Sequence, residues 1–292
     1  MNIGEKIKEL RVRRRMTQAD LAGDTVSRNM VSLIENGRAT PSVQTLEEIA
    51  AKLKVTPSFL MADKREQGIL LKQEALSNIR IAFTGKSYRI CADLCQSLYR
   101  SGMEQDDEVD LVLSESLLAL AKEEFLFDHI RECCRLLDDA VLYAERTVYY
   151  TEHILSTAWW YFEYLGLLSP ALTSENLGGA AVHEPCRKDV YCRYMEAILS
   201  EDTEDMPQYT GDPAIAELLA THVRARAGMR EDAFEKAHLL LSGILRSPDS
   251  LPGVVTYHVL HDIEGCCRAL GNTKNEANYR EARLSTFEKL LS

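Results

Sequence analysis

The chain has 292 residues, 46% of them hydrophobic, which excludes a disordered protein and leaves room for two domains, or one small domain and a long helical array. Its net charge of −11 is unevenly placed: residues 1–65 hold 12 Lys and Arg against 8 Asp and Glu, the remainder 22 against 37, so a basic head precedes an acidic body. No run approaches the roughly 20 apolar residues of a membrane span, and Met1-Asn2-Ile3-Gly4-Glu5-Lys6 has no signal-peptide core, so a soluble cytoplasmic protein with no membrane partner is expected.

The head takes shape in chain order. Ile3, Ile7 and Leu10 stripe an opening helix whose end, Arg11 to Arg15, sets cations at the negative pole of the helix dipole. Thr17 caps a short helix, with Asp20 at capping-box spacing, and Gly23-Asp24 breaks it. Ser27 caps a second helix over Arg28 to Glu35. Its Met30, Val31 and Ile34 form an apolar face, and Arg28, Asn29 and Ser32 lie on another. Two short helices about a tight turn, the second bearing exposed Arg and Asn, are what a reader of the DNA major groove requires. Gly37 is placed for a left-handed C-cap. Ser42 caps a helix over Val43 to Leu53 with Leu46, Ile49, Ala50 and Leu53 on one side. Thr56-Pro57 starts a last turn, and Phe59 and Leu60 close the core. Five helices over 1–62 and a linker over 63–69 are expected.

From residue 70 to 292 the pattern is helix after helix, expected at 68–83, 87–101, 107–122, 125–145, 148–168, 187–200, 213–227, 230–246, 254–270 and 273–291. Turns at Gly85, Gly228 and Gly271 look alike, Ala233 and Ala277 fit the small residue expected five or six positions after such a glycine, and Gly265 fits the small position of a first helix. This resembles degenerate tetratricopeptide repeats, with a non-repeating bundle as the rival. The fold class is therefore all-α. Tyr149-Tyr150 through Trp159-Trp160-Tyr161-Phe162 to Tyr164 is the aromatic centre, expected inside the array. Ser169 to Glu184 reads as a non-helical crossing, and Glu201 to Asp205 as a solvated loop.

Catalysis finds no support: there is no H-E-x-x-H, G-x-S-x-G or Walker loop, and no cofactor is called for. His258 and His261 share a helix face, with Asp262 or Cys266 as a third ligand, but solvated or hydrogen-bonded histidines are the commoner case, and no metal is expected. The eight cysteines (91, 95, 133, 134, 186, 192, 266 and 267) form no paired C-x-x-C knuckles and read as reduced packing residues.

Four blocks in order carry a family resemblance: Ile7 to Arg11, Met16 to Ala22, Ser27 to Gly37 and Pro41 to Ala50. The head resembles the phage-repressor-like (XRE) helix-turn-helix regulators. The turn between Ala22 and Ser27 is one residue short of the usual form, as in the peptide-sensing Rgg/PlcR-type regulators. The resemblance implies base reading by Arg28, Asn29, Ser32 and Leu33, with Leu33 limited to apolar contact such as a thymine methyl. It implies phosphate contacts from Thr17, Gln18, Ser27, Asn36 and Arg38, joined by Arg14 of the basic run, and a structural ion pair between Arg11 and Glu35. It further implies a transcriptional regulator on double-stranded DNA that acts as a homodimer, its helical region sensing an effector such as a short peptide. The inner-groove asparagines of the peptide-sensing members are not evident; the body offers Asn78, Asn176, Asn272, Asn275 and Asn278. Two rivals stand beside this reading: an interaction module docking a partner protein, with DNA binding secondary, and a thiol-based redox sensor.

Overall fold

A computed structural model describes residues 2–23, 26–62, 64–102, 104–174, 189–200 and 212–291. Among them the only regular elements are helices. By contacts the chain divides into two compact units, residues 1–78 and 79–292.

The first unit holds α1 (Ile3–Arg13), α2 (Gln18–Leu21), α3 (Arg28–Glu35), α4 (Val43–Lys52) and α5 (Pro57–Met61). Each starts at a side chain that accepts the backbone N–H three residues on: Asn2, Thr17, Ser27, Ser42 and Thr56. Those caps satisfy donors that a short helix leaves open, each contributing about 1 kcal/mol. Ile7, Leu21, Val26, Val31, Ile34, Leu46, Ile49, Ala50, Leu53 and Leu60 form one core. Gly37 takes the left-handed conformation after α3, at φ 68°. One charge goes against the pattern. Lys6 is buried, and its ammonium donates to the carbonyls of Leu60 and Ala62, where the negative end of α5 lies.

Residues 64–69, within the expected linker, are helical: α6 runs from Lys64 to Thr84 and crosses the boundary between the units. The local reason is composition. Lys, Arg, Glu, Gln and Leu favour helix, no proline interrupts, and the lone Gly68 costs only about 1 kcal/mol.

The second unit continues with α7 (Tyr88–Arg100), α8 (Asp107–Leu126), α9 (Ile130–Arg146), α10 (Glu152–Gly166), α11 (Val190–Leu199), α12 (Pro213–Arg230), α13 (Phe234–Leu245), α14 (Gly253–Ala269) and α15 (Thr273–Leu291). Helices consecutive in sequence pack on one another, as in a stack of helical hairpins. Its repeat lies in the turns rather than in the glycines. Lys86, Asp128, Asp232 and Gly271 all have φ between 55° and 69°. After each, the next N–H reaches back five residues: Ser87 to Ala82 O, His129 to Glu124 O, Ala233 to Gly228 O and Asn272 to Cys267 O. These are four copies of one Schellman-type helix ending. Of the three expected turn glycines only Gly271 takes the left-handed position. At the other two turns Lys86 and Asp232 do, and Gly228 lies inside α12, facing Ala233 and Ala237.

Trp160, Tyr161, Phe162 and Tyr164 are buried as expected, but Val148, Tyr149 and Tyr150 precede α10 and are exposed. The expected crossing after Ser169 contains a short 3-10 turn, Pro170–Leu172; its continuation, like Cys186, His183, Asn176 and the acidic run 201–205, lies outside the described residues. A polar chain crosses the core of this unit. Tyr164 bonds Tyr194, Tyr194 bonds His222 at 2.7 Å, and His222 bonds Asp262 at 2.9 Å, with Arg226 and His261 also on that carboxylate. His258 packs against Tyr164, the rings tilted with centroids 4.9 Å apart, and burial pushes its pKa down to about 3. Burial raises the thiols of Cys133, Cys134, Cys266 and Cys267, which disfavours thiolate chemistry there.

Candidate nucleic-acid interface

The site is built on α3, and its placement begins with what α3 buries. Val31 and Ile34 enter the core, and Glu35 joins them with its side chain 1% exposed. A carboxylate there needs partners. Arg11 of α1 supplies two bonds, Nε to Oε1 at 2.6 Å and Nη2 to Oε2 at 2.9 Å, and Gln18 of α2 a third, Nε2 to Oε2 at 2.8 Å. Burial by itself would raise the Glu35 carboxyl; the bonds from Arg11 and Gln18 outweigh it and hold the group below the usual carboxylate range. Arg11 also donates to Met16 O. One carboxylate thus fixes α3 against both α1 and α2.

Further ties set the pitch of the motif. Thr17 and Asp20 form a capping box at the start of α2. The turn after α2 is closed by Gly23 N to Val26 O at 2.9 Å, and Val26 is buried in the core. Lys52 of α4 donates to Ala22 O at the end of α2. Sequence patterning missed the roles of Lys6 and Lys52, because a lysine in a periodic pattern reads as a solvated face.

With Val31, Ile34 and Glu35 inward, α3 turns the opposite side outward. Arg28, Asn29, Met30 and Leu33 are exposed and Ser32 is half-buried. Met30, expected on the core face, is 42% exposed. At roughly 100° per residue Met30 and Glu35 flank the Val31 and Ile34 stripe on opposite sides: the bonds from Arg11 and Gln18 hold the Glu35 flank inward, and Met30 is left at the other edge. Ser27 stands at the N-terminus of α3, where it accepts Met30 N, and Asn36 at its C-terminus, where Nδ2 donates to Ser32 O; Arg38 is exposed two residues on. Thr17, Ser27 and Asn36 are thus engaged in local caps, and Gln18 in the clamp. Arg14 is placed elsewhere: it lines a groove of about 630 Å³ with Leu10, Lys54, Phe59, Leu70 and Leu71. The described residues contain no group of three His, Cys, Asp or Glu side chains placed to hold a metal, and no described helix is long and apolar enough to cross a membrane.

Residues 7–60 match the helix-turn-helix family. The chain is 35% identical over 75 residues to the immunity repressor protein of Bacillus phage phi105, an overlap of 25% of this chain and 49% of the phage protein; the chain thus spans about half the length of that curated relative. The crystal structure of Bacillus thuringiensis PlcR in complex with the peptide PapR7 and DNA aligns over 99% of this chain and 95% of its own, at 15% identity and a TM-score of 0.24. The Streptococcus dysgalactiae SHP pheromone receptor Rgg2 aligns over 97% and 99%, at 16% identity and a TM-score of 0.20. Whole-chain likenesses of that size carry no argument about this protein.

Proposed function

We propose that the chain is a sequence-specific DNA-binding regulator of transcription, cytoplasmic and homodimeric, whose helical array receives an effector. The observation that carries this is the presentation of α3: a capped helix, clamped to α1 and α2 through Glu35, that turns Arg28 and Asn29 to solvent. Arg pairs with guanine O6 and N7 and Asn with adenine N6 and N7, each pair giving about 1–3 kcal/mol of discrimination. Ser32 and Leu33 complete the base-facing set. Thr17, Gln18, Ser27, Asn36 and Arg38 contact phosphate, Arg14 adding charge. The match of residues 7–60 to helix-turn-helix proteins supports the reading.

One head touches too few bases for useful specificity, so two copies on half-sites about 34 Å apart are the working form. A stack of helical hairpins offers an extended surface for an effector, a short peptide being the choice that fits the shortened turn between Ala22 and Ser27. Differential affinity of that effector for two head spacings would set operator affinity.

The test is selection from a random-sequence DNA pool at fixed salt, with wild type and the double variant Arg28→Ala/Asn29→Ala. A two-half-site motif enriched by wild type alone supports the reading. The same motif from both proteins removes Arg28 and Asn29 as readers. No enrichment by either puts the interaction-module reading first. One observation favours that rival: Val148, Tyr149 and Tyr150 are exposed on a segment pinned by Thr147 Oγ1 to Asp107 O and Val148 N to Asp107 Oδ1, and tyrosines are enriched among binding hot spots.

A further inference from the structure

We infer that the groove formed by α1, the turn before α5, and α6 is a binding site for a small amphipathic monoanion: an aliphatic carboxylate whose chain lies on the apolar walls and whose head group meets Arg14 and Lys54. The inference goes beyond the DNA-reading proposal and does not rest on it. Every lining residue belongs to the first unit, and the binding can be measured without DNA.

The first observation is the lining. The groove holds about 630 Å³, within the roughly 300–1,000 Å³ of small-molecule sites. Leu10 of α1, Val55, Phe59 of α5, and Leu70 and Leu71 of α6 make its walls. None of the five is buried: four are half-buried, and Leu71 is 54% exposed. Leu53 and Leu60, beside Lys54 and Phe59 in the chain, are fully buried, so the walls back onto a packed core that holds their shape. Leu70, Leu71 and Glu74 fall at i, i+1 and i+4 and so share one side of α6.

The second observation is charge. Arg14 and Lys54 line the groove, and both are exposed. Cations close by in the chain are paired, Arg11 with Glu35, Arg13 with Glu9 and Lys52 with Glu48. Among the described residues the side chains of Arg14 and Lys54 have no such partner, and Glu74, which also lines the groove, is paired with neither. Two cations against one carboxylate leave one net positive charge, which fits a singly charged anion and repels a cation.

The third observation is the backbone that sets these cations there. α1 and α4 end alike: Met16 N reaches back to Arg11 O and Val55 N to Ala50 O, with Arg15 and Lys54 left-handed at φ 56° and 46°. Glycine fills such positions more readily. A lysine at the second keeps an ammonium on the groove at some backbone cost.

The experiment is calorimetric titration of the full chain, without DNA, with octanoate, 1-octanol and octylammonium, which share an octyl chain and differ in head-group charge. Octanoate is expected to bind about tenfold more tightly than octanol, from two charged contacts that stay partly solvated. Octylammonium should bind more weakly than either. Decanoate should bind about tenfold more tightly than octanoate, because its two further methylenes also lie on the walls. Octanoate should slow amide hydrogen exchange at the end of α1, at residues 54–59 and at 70–74. Arg14→Ala/Lys54→Asn, in which asparagine tolerates the left-handed turn, should bind octanoate no better than octanol, while unchanged exchange in α3 and α4 reports an intact head. Equal binding of the three octyl compounds overturns the inference. So does slowed exchange confined to the second unit, or a double variant that keeps the preference for octanoate. Octanoate that does not bind at millimolar concentration overturns it as well; if Leu71→Gln then changes the sedimentation of the ligand-free chain, the occupant of the groove is a second copy of the chain.

Discussion

Removing Arg11 should loosen α1 and α3 together, and the size of the effect follows from the clamp. Glu35 is 1% exposed and receives three bonds, two from Arg11 and one from Gln18; the Arg11 side chain is 13% exposed. Breaking a buried ion pair by deleting one partner costs about 3–5 kcal/mol, because the other charge stays buried. The partial exposure of Arg11 and the surviving Gln18 bond place Arg11→Ala at the low end, about 3 kcal/mol. Gln18→Ala removes one bond to a charged acceptor, about 1.5 kcal/mol. Fluorescence will not see either change, since residues 1–78 contain neither Trp nor Tyr. Amide hydrogen exchange on the full chain will: 3 kcal/mol corresponds to exchange about 150-fold faster in α1 and α3. Because the clamp holds the Glu35 pKa below its unfolded value of about 4.3, its stabilisation is present above that pH and is lost as pH falls through the lower folded value. Glu35→Gln should remove that part of the acid dependence. Exchange in α1 and α3 that changes less than threefold in Arg11→Ala would refute the reasoning.

Three more outcomes are expected. A Cβ at Gly4 would overlap Ile34 O, a backbone atom that cannot step aside, so Gly4→Ala should cost about 3 kcal/mol, read as lost protection in α1 and α3. In the second unit His258 stays neutral when folded, with a pKa of about 3, while the unfolded chain takes the proton near 6.5. The groups facing it are His222, His261, Arg226 and Asp262. Stability should therefore fall as pH drops from about 6.5 towards 3, by about 1.4 kcal/mol per unit from this group, and His258→Gln should flatten that slope in urea unfolding followed by Trp159 and Trp160. Arg38→Ala should weaken binding to all DNA alike and lower the salt slope by about one, whereas Arg28→Ala should relax the sequence preference at one position; titrations at several salt concentrations separate the two.

Much of the head was legible in the sequence because its signals are local. Four of the five caps, the C-cap at Gly37 and the Leu46, Ile49, Ala50 and Leu53 stripe act over three or four residues, so spacing alone locates them. The ion pair of Arg11 and Glu35 was legible only through family resemblance, being 24 residues apart. The body helices were legible for the same local reason, as runs of helix formers between breakers. Tertiary structure decided what periodicity leaves open. Met30 and Glu35 flank the apolar stripe of α3 on opposite sides, and it is the nearness of Arg11 and Gln18 that takes the carboxylate in, while the thioether flank stays out. Lys6 is buried because the carbonyls at the end of α5, more than fifty residues away in sequence, come to meet it. The left-handed turns fall on Lys86, Asp128 and Asp232 as well as on Gly271, because packing between paired helices outweighs the 1–2 kcal/mol or so that such a backbone costs a residue with a Cβ. A chain carries its helices in neighbouring residues, but which side of a helix is inside is a property of what arrives from far along the sequence.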